Sequence, residues 1–133
     1  ACILAGAAYI VSPGFDKETV ELCNLYRVPM MPGVMTVTEV MEALKSGVEI
    51  VKVFPGSAFG PGIIKAFKGP LPQGNYMPTG GVSLDNVKDW IRAGAVAVGV
   101  GGDLTGDAKT GRYDLVTEKA EAFIEAVREA REE

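Results

Sequence analysis

The sequence predicts a parallel α/β fold, most of a (βα)8 barrel rather than a dinucleotide-type open sheet. Three observations carry that expectation. Five strand-like runs end near Pro13, Pro32, Pro55, Gly80 and Gly101, and each is followed by a helix-compatible stretch. The four intervals between Pro13 and Gly101 average 22 residues, the pitch of a repeated β-α unit. No GxGxxG string follows the first strand, so a nucleotide-binding doubly wound sheet is disfavoured. A closed barrel needs eight strands and about 200 residues or more. The 133 residues therefore account for about five units, strands 4 to 8, plus a C-terminal helix, in a single partial-barrel domain over residues 1–133 with three N-terminal βα units absent. A self-sufficient five-stranded, flavodoxin-like domain is the alternative.

Each element has its own signal. Residues 1–6, Ala1-Cys2-Ile3-Leu4-Ala5-Gly6, resemble the last turn of a helix. The strand runs are Ala8 to Ser12, Val28 to Met31, Val48 to Pro55, Asn75 to Thr79 and Ala95 to Val100. Thr36-Val37-Thr38-Glu39 has the form of a capping box, Pro61 suits a first helical position, and Ser83 precedes Asp85 in a first turn. Gly47 and Gly94 follow amphipathic segments and suit left-handed helix stops. In the last helix Val116, Ala120, Phe123, Ile124 and Val127 fall on one stripe.

Composition narrows the function classes. The chain is 47% hydrophobic with net charge −4, and its basic residues are scattered, which argues against nucleic acid and anionic membranes as partners. No apolar run approaches the length of a membrane span, and the first residues lack a charged signal-peptide region, so a cytoplasmic protein is expected. Cys2 and Cys23 have no metal or CxxC spacing and read as buried free thiols. The absence of histidine removes the commonest metal ligand and general base, and no metal site is expected.

Lys52 is the candidate for chemistry. It lies in the middle of Val48-Glu49-Ile50-Val51-Lys52-Val53-Phe54-Pro55, whereas the other four runs have no charged residue in their interiors. Burial of a lysine disfavours its ammonium, leaving an amine that can attack a carbonyl and form a Schiff base. A structural lysine paired with a carboxylate is the competing explanation. A second candidate is a phosphate cradle. Thr79-Gly80-Gly81-Val82-Ser83 and Val100-Gly101-Gly102-Asp103-Leu104 put Gly-Gly turns after neighbouring strands, where backbone N–H groups can approach an anion. Glycine pairs also serve ordinary tight turns.

The strings Ser12-Pro13-Gly14, Met31-Pro32-Gly33-Val34, Val51-Lys52-Val53-Phe54-Pro55, Lys68-Gly69-Pro70, Met77-Pro78-Thr79-Gly80-Gly81-Val82 and Val98-Gly99-Val100-Gly101-Gly102 resemble, in order and spacing, the 2-keto-3-deoxy-6-phosphogluconate (KDPG) aldolase / 4-hydroxy-2-oxoglutarate (KHG) aldolase family. The resemblance covers essentially the whole chain. It implies a class I, metal-free lyase that splits a 2-keto-3-deoxy sugar acid phosphate into pyruvate and glyceraldehyde 3-phosphate, with no cofactor beyond a covalent Schiff base on Lys52. It further implies that Pro13 and Phe54 line the pyruvyl pocket and Thr79 lies near the keto-acid carboxylate. It implies too that Gly80, Gly81, Gly101 and Gly102 hold the phosphate and that the assembly is a homotrimer. Three departures accompany it. The family's glutamate acid/base has no counterpart, Glu49 being structural at the opposite rim. The carboxylate-binding arginine and a further threonine cannot be assigned either. Asp103 stands where serine is common, so either its side chain turns from the phosphate or the substrate is smaller and unphosphorylated, such as 4-hydroxy-2-oxoglutarate. An open sheet should seek a partner or self-associate. At most residual activity is expected of the chain alone. The rival readings are an engineered or proteolytic half-barrel module in which Lys52 is a relic, and a phosphate-binding barrel similar to thiamine-phosphate synthase.

Overall fold

A computed structural model describes residues 1–132. Its strands are β1 (Ile10–Val11), β2 (Met30–Met31), β3 (Gly33–Val34), β4 (Val51–Val53) and β5 (Tyr76–Pro78). Its helices are α1 (Lys17–Leu25), α2 (Val37–Lys45), α3 (Gly62–Lys68), α4 (Val87–Arg92), α5 (Gly102–Thr105) and α6 (Tyr113–Glu132). All strand pairings are parallel: β1 with β2, β3 with β4, and β4 with β5. Pro32 separates β2 from β3, and because proline lacks an N–H the predicted single run is divided in two. Its carbonyl still accepts from the Lys52 N–H at 2.9 Å, so the wall is continuous across the break.

Strand order follows chain order throughout. A doubly wound sheet reverses direction at a switch point, and this one does not, which favours a barrel wall over the flavodoxin-like alternative. The fifth predicted strand is corrected. Residues 95–100 form no regular strand, only a parallel bridge between Thr79 and Gly99 and the bonds Val96 N–H to Tyr76 O (3.0 Å) and Gly99 N–H to Pro78 O (2.8 Å). This segment borders the sheet with no described strand beyond it, so its ladder stays incomplete.

The helix signals were largely sound. Thr36 caps α2 in a reciprocal capping box with Glu39, and Gly47 and Gly94 adopt φ of +86° and +105°. Residues 1–6 end in a Schellman motif, with Gly6 at φ +89°, Gly6 N–H donating to Ile3 O and Ala7 N–H to Cys2 O. Pro61 takes the N-cap of α3, one residue before the expected first helical position. The regular part of α4 starts at Val87 with Asn86 as N-cap, and Ser83 opens the turn before it: its carbonyl accepts from the Asn86 and Val87 N–H groups at 3.2 and 2.9 Å, while its own N–H donates to Asn86 Oδ1 at 3.0 Å. Of the α6 stripe, Phe123 is buried but Ile124 is 69% exposed, since no described element covers that side. Cys23 is buried as expected, whereas Cys2 is exposed in the N-terminal turn.

The core lies on one face of the sheet. Met30, Val34, Val51, Val53 and Tyr76 point to it and are buried, joined by Val20 and Cys23 of α1, Val40 and Ala43 of α2, Ile64 and Phe67 of α3, and Val87 and Trp90 of α4. Each such side chain contributes about 1.5–3 kcal/mol when taken fully from water. The alternate residues Val11, Met31, Lys52 and Met77 lie on the other face and keep partial solvent access. A groove of about 720 Å³ lies between residues 97–104 and α6.

Candidate functional site

Lys52 is the middle residue of β4, in register with Gly33 on one side and Met77 on the other. Gly33 has a specific reason to be glycine. A Cβ there would lie 2.0 Å from the Pro13 carbonyl oxygen, so its absence lets the Pro13–Gly14 backbone cross the strand beside the Lys52 row. The expected burial of Lys52 is corrected: it is only partly buried, because its face of the sheet has no covering layer here. No carboxylate pairs with it among the described residues, which removes the structural ion-pair explanation. Its Nζ lies 4.7 Å from the centroid of the Phe54 ring, within cation–π range.

The C-terminal ends of β4 and β5 are locked together. The Phe54–Pro55 peptide is cis, Gly56 N–H donates to Thr79 O at 2.8 Å, and a Cβ on Gly56 would meet the Gly80 carbonyl at 2.7 Å. Gly80 and Gly81 take φ of +88° and +71°, a conformation that L side chains resist, and a Cβ on Gly81 would come within 2.7 Å of Ser57 Cβ. The Asn86 amide fastens the far side of this turn by donating to Gly81 O at 2.8 Å. The second glycine pair behaves differently. Gly101 has φ −106°, Gly102 opens the short α5, and a Cβ on either would meet nothing within 4 Å. The two Gly-Gly turns therefore differ, the first tight and the second open.

These ends enclose a cavity of about 460 Å³ lined by Phe54, Thr79, Gly80, Gly81, Val82, Ser83, Gly99, Gly101, Gly102 and Asp103. Seven of the nine residues singled out from the sequence thus share one lining, with Lys52 just outside it across the Phe54 ring and Pro13 over Gly33. Thr79 Oγ1 is buried without a hydrogen-bond partner among the described residues, leaving a polar atom without a satisfied bond in this wall. Gly33 and Gly99 were missed as site residues. Their signal was glycine within a strand run, and a Cβ on Gly99 would meet Thr79 Oγ1 at 2.2 Å.

Asp103 is the only charged residue in that lining. Below it, Lys119 Nζ donates to the Asp103 carbonyl oxygen at 3.2 Å and pairs with Asp107 at 2.7 Å. The hydrogen bond to Asp107 is the main reason the Lys119 ammonium titrates above its ordinary value, with the fields of Asp107 and Asp103 adding to it. Glu49 stands at the other rim, where its backbone carbonyl accepts from the Asn75 side-chain amide at 3.1 Å. No group of three or more acidic, cysteine or histidine side chains is arranged for a metal among the described residues, and none of their helices is long and apolar enough to cross a membrane.

Residues 2–123 match the KDPG and KHG aldolase family. The chain belongs to this family. Among its aldolase relatives, 2-dehydro-3-deoxy-6-phosphogalactonate aldolase of Escherichia coli is 37% identical over 126 residues, covering 94% of this chain and 60% of the relative. KHG/KDPG aldolase of the same species is 33% identical, covering 93% and 60%. The chain therefore spans about 60% of the length of these aldolases. A native KDPGal structure superposes with a TM-score of 0.88 at 36% identity, over 96% of this chain and 62% of that one. KDPG aldolase from Legionella pneumophila, holding pyruvate as a covalent carbinolamine intermediate, superposes at 0.80 with 32% identity, over 87% and 58%. A thiamine phosphate pyrophosphorylase from Pyrococcus furiosus, at 18% identity and TM-score 0.72, shares the fold alone.

Proposed function

We propose that this chain carries the nucleophile and the distal pocket of a class I aldolase that cleaves a 2-keto-3-deoxy sugar acid, giving pyruvate and an aldehyde. The observation that carries the reading is Lys52: an unpaired amine on the open face of β4, beside the Phe54 ring at the mouth of the cavity. Its lone pair attacks the C2 ketone, water leaves, and an iminium forms. The electrons of the C3–C4 bond flow into the iminium as the C4 hydroxyl gives up its proton, releasing the aldehyde and an enamine. Protonation at C3 and hydrolysis then free pyruvate and restore Lys52. Pro13 and Phe54 shape the pyruvyl end, Thr79 Oγ1 donates to the keto-acid carboxylate, and the amides of Gly80, Gly81, Gly101 and Gly102 face the distal end of the substrate.

The cavity lining offers no group for the C4 proton except Asp103. We read the strands as positions 4 to 8 of an eight-stranded barrel, with the acid/base supplied by strands outside this chain, so the chain alone has at most residual turnover. The reading includes a homotrimer, the assembly that the family resemblance implies. A structural neighbour at TM-score 0.89 is a cage designed by fusing symmetric oligomeric domains, which supports the module as a second reading. Borohydride trapping with pyruvate, followed by peptide mapping, separates them. A reduced adduct on Lys52 supports the aldolase, and a discrete oligomer without an adduct favours the module.

A further inference from the structure

We infer that Lys119 is a positioning residue for the distal pocket: from α6 it fixes the Gly101-Gly102 turn, and with it the backbone N–H groups that this turn presents to the substrate. This rests on the aldolase reading above and concerns the same site. The two glycine turns of the pocket are held in different ways. Gly80-Gly81 is braced from several sides, by Gly56, by Ser57 and by the Asn86 amide. Gly101-Gly102 has no such packing, since a Cβ on either residue would meet nothing within 4 Å. Gly101 O accepts from Leu104 N–H at 3.0 Å, Thr105 N–H at 3.1 Å and Thr105 Oγ1 at 3.3 Å, and all three donors belong to α5 itself. These bonds shape α5 without fixing where it stands. Two groups tie it to the body of the molecule. Leu104 is partly buried against the core and lines the groove beside α6. Lys119, in the second turn of α6, reaches back to donate to Asp103 O at 3.2 Å and to the Asp107 carboxylate at 2.7 Å. One ammonium thus bridges α5 and the 3-10 turn Gly106–Thr110 that follows it. Arg112 stands on the other side of Asp107. Its backbone N–H donates to Asp107 O at 3.2 Å, and its guanidinium, within the field of the Asp107 carboxylate, pairs with Asp114 at 3.1 and 3.0 Å. Asp107 is therefore flanked by two cations, of which Lys119 is the one that also bonds α5. A partly exposed ion pair adds little to global stability, whereas a displacement of about 1 Å in a binding wall costs up to about 100-fold in function. Lys119 accordingly matters more for where the turn stands than for whether the chain folds.

The test compares two keto acids at Lys52 by borohydride trapping. Pyruvate has no distal end to meet the Gly101-Gly102 turn, and 2-keto-3-deoxygluconate 6-phosphate has one. Each is titrated in wild type, Lys119→Met, Lys119→Arg and Asp107→Asn, with urea midpoints measured alongside. In Lys119→Met the half-saturating concentration of the sugar acid phosphate is expected to rise about tenfold, while that of pyruvate stays within about twofold. Lys119→Arg keeps the charge and the donors and is expected to recover most of the loss. Asp107→Asn leaves the bond to Asp103 O in place and is expected to lose less, about threefold. Equal changes for both keto acids, no change for either, no recovery in Lys119→Arg, or a collapsed urea midpoint in Lys119→Met overturns the assignment. A second measurement does not use Lys52: inorganic phosphate is titrated against the amide resonances of Gly101 and Gly102, with binding about tenfold weaker in Lys119→Met expected. Equal affinities, or no shift of these resonances in wild type, also overturn it. Failure of the aldolase reading is distinguishable, since it shows as no pyruvate adduct on wild-type Lys52.

Discussion

The two faces of one short sheet have opposite duties in this molecule. On the helix side, Val51, Val53 and Tyr76 are each fully buried against α2, α3 and α4. On the other side, neighbours in the same strands, Lys52 and Met77, keep partial solvent access, and Val11 is 42% exposed. Adjacent residues thus differ by a whole environment, because strand side chains alternate. Stability is concentrated where helices cover the sheet, and Lys52 is left on the face that they do not cover.

Tyr76 and Met77 break the comparison most sharply if it is wrong. Tyr76→Ala removes a fully buried ring and its hydrogen bond to Leu71 O, and should cost about 3–5 kcal/mol in urea unfolding. Met77→Ala, one residue on but facing the open side, should cost about 1 kcal/mol or less. Similar losses at both positions would mean that the open face is packed in solution.

The same logic divides the two glycine pairs. Gly81→Ala places a side chain at φ +71° and against Ser57, and should destabilise by about 1–3 kcal/mol. Gly102→Ala meets open space in the first position of α5 and should stay within about 0.5 kcal/mol of wild type. Thermal or urea midpoints of the two variants side by side decide this.

A smaller effect belongs to the α2 cap. The Met35 N–H is the largest influence holding the Glu39 carboxyl below its ordinary value of 4.5, with the Thr36 backbone and hydroxyl adding to it. Its folded value is the depressed one, so its contribution is complete above about pH 4.5 and is lost as pH falls through the folded value. Glu39→Gln should flatten this acid limb, and Thr36→Ala should cost about 1 kcal/mol at neutral pH. An unchanged acid limb in Glu39→Gln would place the effect elsewhere.

Much of this was legible in the sequence, for reasons that differ by residue. The β-α rhythm as far as β5, the Thr36 capping box and the stops at Gly47 and Gly94 are local, and local chemistry decided them. Lys52 stood out because charge inside an apolar strand run is rare, and the ordered strings around it carried the family. What was not legible depended on neighbours. Residues 95–100 have strand character but lack a second partner strand, Ile124 is on the apolar stripe but has nothing packed on it, and Lys52 is less buried than its run implied. Asn86 closes the turn before α4 through a side-chain bond to the Ser83 N–H that no periodicity encodes. Gly80-Gly81 and Gly101-Gly102 share a dipeptide, yet only contact with Ser57 and Gly56 distinguishes their roles.

The most direct measurement pairs pyruvate trapping with urea unfolding in wild type and Lys52→Met, which keeps the aliphatic stem and removes the amine. We expect a borohydride-reduced adduct mapped to Lys52 in wild type, none in the variant, and unfolding free energies within about 0.5 kcal/mol of each other. An adduct that persists in Lys52→Met, or a large loss of stability on removing the amine, would contradict the division between a face that holds the fold and a face that does the chemistry.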